Sequence, residues 1–186
     1  MNILTERESS RSPLIGAEQA AHADLPAPAP HTDAELAALI GLLTQSKARI
    51  ETVTIGHGRD TASRAAAEAS TAAWTARGGT VLTTVSWPET AASWLRPAIR
   101  LTAAAPDAWV LAAAPLGLAQ LARRLRHSTD WDPARSYAFA SLQDSRVPAL
   151  AGDDVLHGLR GATADGATWD VRHRWVTTCP PAEVTA

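Results

Sequence analysis

The sequence predicts an α/β fold: a three-layer arrangement of one parallel sheet with helices on both faces, preceded by a flexible tail and one helix. Short apolar stretches alternate four times with segments of helical period, and a further short strand follows. This alternation is typical of a parallel sheet covered by helices. The length of 186 residues fits a single domain with a tail, since domains usually hold about 100 to 200 residues.

The N-terminal segment, residues 1–31, is rich in Ser, Ala, Glu and Pro and ends in the run LPAPAPH. Such a composition cannot bury enough apolar surface to offset the entropy of ordering, so we expect a flexible tail. Thr32 and Glu35 then match a Thr-x-x-Glu capping box, and leucine and isoleucine recur behind them at helical spacing. One amphipathic helix is therefore predicted over residues 32–48.

The α/β lobe is predicted over residues 51–178, with a short C-terminal tail at 179–186. Strands are predicted at 53–56, 80–87, 107–114, 136–142 and 159–163, and helices at 61–77, 91–105, 116–127 and 147–158. The first of these helices ends at the pair Gly78-Gly79, which fits a glycine C-cap. Pro97 falls in the first turns of the next helix, where a missing N–H matters least.

Composition argues against several classes of function. The formal net charge is −2 and no block of basic residues occurs, so the electrostatic signature of a nucleic-acid partner is missing. Cys179 is the single cysteine, which leaves no disulfide framework and no zinc site built on thiolates. No apolar stretch reaches the length of a membrane span, and the N-terminus has no secretory-signal core. We therefore expect a cytoplasmic protein with no membrane partner.

The loop GHGRDT, residues 56–61, follows the first strand and opens a helix. Open α/β sheets bind ligands at this position. As a dinucleotide fingerprint the loop fails, because Thr61 stands where a third glycine is needed and the second strand ends without a ribose-binding acid. No cofactor is therefore predicted. The plain interpretation is a tight turn between strand and helix, and the alternative is direct contact between His57 and a ligand.

Other groups with catalytic or metal-binding chemistry are scattered. Cys179 lies in TTCPP, where no helix N-terminus lowers the pKa of the thiol, so a catalytic thiol is not expected. No two of the six histidines have the i, i+4 spacing of a helical metal site, so no metal site is predicted. Asp153 and Asp154 are neighbours in sequence and are interpreted as solvated or capping residues.

Several short motifs resemble the second lobe of type I periplasmic binding proteins, the branched-chain amino-acid receptors of ABC importers. Gly78, Gly79 and Val81 match that family's Gly-Gly-x-Val after the first helix, and Pro106, Asp107 and Ala108 match its later Pro-Asp-Ala. Trp87-Pro88 and Ser93-Trp94 stand in place of Tyr-Pro and Asp-Phe, and His157-Gly158-Leu159 in place of Glu-Gly-Val. The resemblance covers residues 51–165 and implies the fold of a single lobe.

The resemblance also implies a ligand site, in which the glycine loop opens onto one side of a cleft. The candidate ligand-binding residues are His57, Arg59, Asp60, Thr61, Ala114, Gln143 and Asp144. The aromatic residue that the family places near the start of the first helix is absent. The positions that match the family's ligand contacts are Thr61 and Ala62, Ala114 and Pro115, and Gln143 and Asp144; among these, only Asp144 could offer a carboxylate to an ammonium group. No catalytic residue is assigned.

We therefore expect a non-enzymatic domain that binds or senses a small amino-acid-like molecule. Members of the family close two lobes around the ligand, and a single open lobe buries too little of it. A homodimer or a protein partner is accordingly expected to complete the cleft. Two alternatives stay open: a small α/β enzyme that uses His57, Arg59 and Asp60 as acid, base or anion-holding groups, and an interaction scaffold that uses Trp87 and Trp131.

Overall fold

The computed structural model describes Ile15 and residues 24–91 and 93–180 as one sheet with helices on both faces. Most of the predicted N-terminal tail and residues 181–186 lie outside these described residues. The strands are β1 Thr52–Gly58, β2 Thr80–Trp87, β3 Ala108–Ala112, β4 Ser136–Ala138, β5 Arg160–Ala162, β6 Thr168–Arg172 and β7 Trp175–Cys179. The helices are α1 Asp33–Thr44, α2 Thr61–Ala76, α3 Leu95–Thr102, α4 Pro115–Ser128 and α5 Arg146–Ala151, with single 3-10 turns at Pro133–Arg135 and Ala140–Leu142.

The strands lie in the order β2-β1-β3-β4-β5-β6-β7. The first five are parallel, whereas β6 and β7 form an antiparallel hairpin at one edge. The order of the strands reverses between β1 and β3, and in open α/β sheets a crevice opens at the carboxyl ends of the strands on either side of such a reversal. The fold therefore places a potential ligand site beside the loops that follow these two strands.

Local signals fix the ends of the helices. Thr32 and Glu35 form the predicted capping box at the start of α1. Asp60 caps α2, because its Oδ1 accepts a hydrogen bond of 2.8 Å from the backbone N–H of Ser63. Beyond the end of α2, Gly78 has φ of +83°, a conformation that costs glycine little and other residues more.

Apolar side chains form a core on each face of the sheet. Alternate residues of β1 and β3 point to opposite faces, as the period of a strand requires. One core packs beneath α1 and α2 and includes Leu39, Ile40, Leu43, Val53, Ile55, Ala66, Trp74 and Val110. The other packs beneath α3, α4 and α5 and includes Trp87, Trp94, Leu101, Trp109, Leu111, Leu118, Leu121, Trp131 and Val147. This arrangement confirms the predicted three-layer fold class.

Some details differ from the sequence-based prediction. The strand predicted at 136–142 ends at Ala138, because the chain then turns through Ala140–Leu142. The β6–β7 hairpin was not predicted. Trp87 and Trp131 are 0% and 1% exposed, so the predicted interaction surface built on these two indoles is wrong: both side chains fill the core.

Candidate functional site

A cavity of about 440 Å³ lies at the carboxyl end of the parallel strands. Its walls come from the first turns of α2, the end of β3, the turn after β4, the start of α1 and the segment 26–31, which precedes α1. The lining residues are Pro26, Ala27, Pro28, Ala29, Pro30, His31, Glu35, Ala62, Ser63, Ala66, Ala112, Phe139, Ala140, Ser141, Gln143, Asp144 and Ala164. Most of these side chains are apolar, so the cavity suits a small molecule with only a few polar groups.

The segment 26–31 covers the cavity on the side away from the strands. It is held at both ends: the Thr32 hydroxyl donates a hydrogen bond to the carbonyl of Ala164, and Arg146 donates one to the carbonyl of Asp24. Between these points the ring of His31 meets the ring of Phe139 edge-on, with 5.9 Å between centroids. The chain thus supplies its own cover for this face of the sheet.

Glu35 is the most buried acidic side chain of the cavity wall, with 3% of its surface exposed. One carboxylate oxygen accepts a hydrogen bond from the backbone N–H of Ala140, and the other accepts one of 3.4 Å from Thr32. Burial raises the pKa of this carboxyl, while the two backbone donors act in the opposite direction. Glu35 therefore joins α1 to the turn after β4 and places a carboxylate beside the cavity.

Gln143 and Asp144 are the predicted site residues that line the cavity. The carboxylate of Asp144 is engaged by the Arg146 guanidinium, with the Nε of Arg146 2.9 and 3.1 Å from its two oxygens. Hydrogen bonding from Arg146 holds the pKa of Asp144 below its usual range. The amide nitrogen of Gln143 donates to the Thr178 hydroxyl at 3.0 Å. Neither side chain presents an unengaged charge to a ligand in this arrangement.

The other predicted site residues surround the cavity without lining it. His57 lines a separate and more open pocket of about 750 Å³ along α2, and Arg59 lines another beside Trp87. The Nδ1 of His57 is 2.6 Å from the carbonyl oxygen of its neighbour Gly58. Asp60, Thr61 and Ala114 lie at the N-termini of α2 and α4. The side chains of His57, Arg59 and Asp60 therefore do not converge on one reacting atom, as the enzymatic alternative requires.

Three oxygen atoms without hydrogen-bond partners meet around Gly58, beside the cavity. They are Oδ2 of Asp60, Oγ of Ser63 and Oε1 of Glu89, all buried and without a partner in the described part of the chain. They lie 2.8, 3.4 and 3.0 Å from the point where a Cβ on residue 58 would stand. Glycine at this position thus leaves room for the three side chains to approach one another. Ser63, with 2% of its surface exposed, belongs both to this group and to the cavity wall.

Glu89 is a residue of this region that sequence reasoning missed. Its Oε2 accepts a hydrogen bond of 3.1 Å from the backbone N–H of Gly117, in the first turn of α4. Burial raises the pKa of Glu89, the Gly117 N–H lowers it, and the negative charge of Asp60 raises it further. A Cβ at Gly117 would collide with this carboxylate. In the sequence, the pattern Pro-x-Gly at the start of α4 is the feature that could have indicated such a close approach of a side chain to the backbone.

Within the described residues, no helix is long and apolar enough to cross a membrane. No protein-family model matches the chain, and no curated protein matches it.

Several solved structures share the fold. A substrate-binding periplasmic protein from Ralstonia solanacearum has a TM-score of 0.60 at 20% identity, over 84% of this chain and 45% of that one. An extracellular ligand-binding receptor from Rhodopseudomonas palustris HaA2 has a TM-score of 0.59 at 18% identity, over 70% and 35% of the two chains. A branched chain amino acid ABC transporter periplasmic ligand-binding protein from Burkholderia xenovorans LB400 has a TM-score of 0.56 at 12% identity, over 72% and 35%.

The present chain therefore spans between a third and a half of the length of these proteins. The likeness confirms the predicted fold, a single lobe of the type I periplasmic binding protein architecture.

Proposed function

We propose that this chain is a non-enzymatic binding domain for a small, largely apolar, amino-acid-like molecule held in the cavity at the strand ends. The observation that carries the proposal is the position of the cavity beside the loops that follow β1 and β3, where open α/β sheets bind ligands. Its volume of about 440 Å³ lies within the range usual for small-molecule sites. The names of the similar structures, which are those of ligand-binding proteins, support the same conclusion.

The charges in the wall suit a zwitterion. The first turn of α2 contributes Ala62 and Ser63, and the positive end of the helix dipole favours a ligand carboxylate there. Glu35 is the acid in the wall that is not paired with an arginine, and its carboxylate favours a ligand ammonium group.

A matched pair of substitutions on α2 tests the proposal. Ala62 lines the cavity, whereas Ala65 lies one turn further along the helix and is exposed. Isothermal titration against the common amino acids and their oxo- and hydroxy-acid analogues is expected to identify a ligand of the wild-type chain. Ala62→Leu is expected to weaken its binding by at least about tenfold, since three added carbons take up ligand space, whereas Ala65→Leu leaves binding unchanged. An absence of binding by the wild-type chain, or equal affinity of both variants, would contradict the proposal.

A homodimer or a protein partner remains part of the proposal. Leu82 on β2 and Leu95 and Ile99 on α3 are exposed large apolar residues, which offer surface for such a contact. Light scattering of the purified chain, with and without the ligand, measures the mass directly. The mass of a monomer under both conditions would contradict the proposed homodimer.

The cellular location is likewise a prediction. The sequence leads us to expect that the protein is located in the cytoplasm, whereas two of the similar structures are named as periplasmic proteins. Cell fractionation followed by immunoblotting decides between the two compartments.

A further inference from the structure

A second cluster of polar side chains lies far along the sheet from the cavity, where the β6–β7 hairpin meets the loop before β5. Asp154 and His157 belong to this loop, and His173 lies in the turn of the hairpin. One ligand atom from each of the three residues can be chosen so that all lie within 4.8 Å of one another. All three residues are exposed, so an ion can reach them from solvent.

We propose that Asp154, His157 and His173 bind a divalent transition-metal ion of the Zn²⁺, Ni²⁺ or Cu²⁺ class, with solvent completing the coordination. Two imidazole nitrogens and one carboxylate oxygen are ligands that this class prefers, while Mg²⁺ and Ca²⁺ favour sites made of oxygen alone. Three protein ligands with an open position are also typical of zinc sites that keep a bound water.

The three side chains are oriented toward one another before any ion arrives. Nδ1 of His173 lies 2.7 Å from Oδ1 of Asp154, and the backbone N–H of His173 donates to Nδ1 of His157 at 3.1 Å. The two imidazole centroids are 4.9 Å apart. Nδ1 of His173 and Oδ1 of Asp154 thus share a proton; when that proton moves to Nε2 of His173, an ion can take its place and bind both atoms. An ion at Nδ1 of His157 exchanges one neutral hydrogen bond for a coordinate bond.

The backbone also holds the ligands in place. Asp154 and His173 have φ of +60° and +56°, values that residues other than glycine adopt uncommonly. Both belong to short turns, and the neighbouring pair Asp153 and Arg174 ties the loop to the hairpin, with 2.7 Å between Nη2 of Arg174 and Oδ2 of Asp153. The side chains thus come from two segments that are already fastened together.

Arginines and carboxylates are mixed around the cluster, and Arg160, which lines the same groove as His157, lies over the ring of Tyr137. The two arginines of the hairpin are matched by their own carboxylates, since Arg172 pairs with Asp170 at 3.0 Å and Arg174 pairs with Asp153. The carboxylate of Asp154 is left with the two imidazoles. A dication at the cluster therefore meets one carboxylate and two imidazole nitrogens.

The test is isothermal titration of Zn²⁺ and Mg²⁺ into the untagged full-length chain at pH 7.5. Every protein carries Cys179→Ser, because the exposed thiol of Cys179 is a competing zinc ligand. One Zn²⁺ per chain and negligible Mg²⁺ binding are expected. His157→Ala and His173→Ala are each expected to weaken Zn²⁺ binding by at least about tenfold. His127→Ala, which removes an exposed histidine on α4, is expected to leave binding unchanged.

A second pair of variants covers the case in which an alanine variant folds poorly. Asp154→Asn is expected to weaken Zn²⁺ binding at least about tenfold and to reduce the rise in melting temperature that Zn²⁺ produces in the parent. Asp130→Asn, which changes an exposed carboxylate in the loop after α4, retains both properties. Lack of Zn²⁺ binding by the parent, equal affinity for Mg²⁺, or loss of affinity in only one of the two histidine variants would overturn the proposed site.

Discussion

Glu89→Gln is expected to make the protein more stable at pH 8 and to have little effect near pH 4.5. Oε2 of Glu89 accepts from the Gly117 N–H, while Oε1 faces Oδ2 of Asp60 across Gly58, and neither of these two facing oxygens has a partner in the described chain. Glutamine keeps the acceptor for Gly117. Its NH₂ group replaces the second oxygen and can donate to Asp60.

The size of the effect follows from two opposing contributions. A hydrogen bond that satisfies two buried atoms adds about 1 kcal/mol, and relief of a buried unpaired charge adds about 1 kcal/mol or more. Loss of a negative charge at the N-terminus of α4 removes about 0.3 to 1 kcal/mol. The net gain is therefore about 1 to 2 kcal/mol at pH 8. In a domain of this size, each kcal/mol corresponds to a rise of about 2 to 4 °C in melting temperature.

The pH dependence has a definite sign. Burial, with a smaller contribution from Asp60, raises the pKa of Glu89 in the folded protein. The stability that Glu89 contributes is therefore fully present when the pH is below its pKa in the unfolded chain, about 4.3. This stability is lost as the pH rises through the pKa of Glu89 in the folded protein. Urea unfolding, followed by tryptophan fluorescence, measures the free energy of unfolding at pH 8 and at pH 4.5. Glu68→Gln, on the exposed side of α2, is the control and is expected to change neither. A less stable Glu89→Gln variant at pH 8, or the same gain at both pH values, would refute this account.

Further substitutions test the turns and the cavity wall by the same unfolding measurement. Gly78 and Gly158 both have positive φ, but a Cβ would meet nothing within 4 Å at Gly78 and would lie 2.8 Å from the Cβ of Ala134 at Gly158. Gly78→Ala is therefore expected to lower the free energy of unfolding by about 1 kcal/mol. Gly158→Ala is expected to lower it by about 1 to 3 kcal/mol more, because the added methyl group overpacks against Ala134. Equal losses in the two variants would show that the contact with Ala134 relaxes freely. Glu35→Ala is expected to cost about 1 to 3 kcal/mol, since it leaves the N–H of Ala140 without its acceptor; a loss under about 0.5 kcal/mol would mean that water replaces the carboxylate.

Much of the fold could be predicted from local patterns. Three features depend only on residues that are close in sequence: the capping box of α1, the glycine pair after α2 and the apolar run of β3. Strand β6 could also have been predicted, since Trp169 and Val171 alternate with polar residues after the Asp-Gly turn at 165–166 that joins β5 to β6. No feature of the sequence indicates that β4 ends at Ala138. Whether the chain continues as a strand past this residue depends on the neighbouring strand and on the turn that carries the cavity residues.

The sites were harder to predict because they depend on tertiary contacts. The resemblance placed Gln143 and Asp144 near the strand ends, where they line the cavity, but no pattern indicates that Arg146 already engages that carboxylate. Glu89 follows the Trp87-Pro88 pair in a loop, and nothing in that loop indicates that its carboxylate reaches the first turn of α4. His157 and His173 are 16 residues apart, and only the pairing of the hairpin with β5 brings them together.

The cover over the cavity also changes what a single lobe of this architecture can do. The segment 26–31 has proline at every second position from 26 to 30, and proline already restricts φ, so ordering such a segment costs less entropy than ordering a flexible loop. Thr32 and Arg146 pin its two ends, while Leu39 and Leu43 of α1 are buried in the core behind it. The chain itself thus supplies part of the wall of the cavity, where the resemblance to two-lobed binding proteins leads us to expect a second lobe.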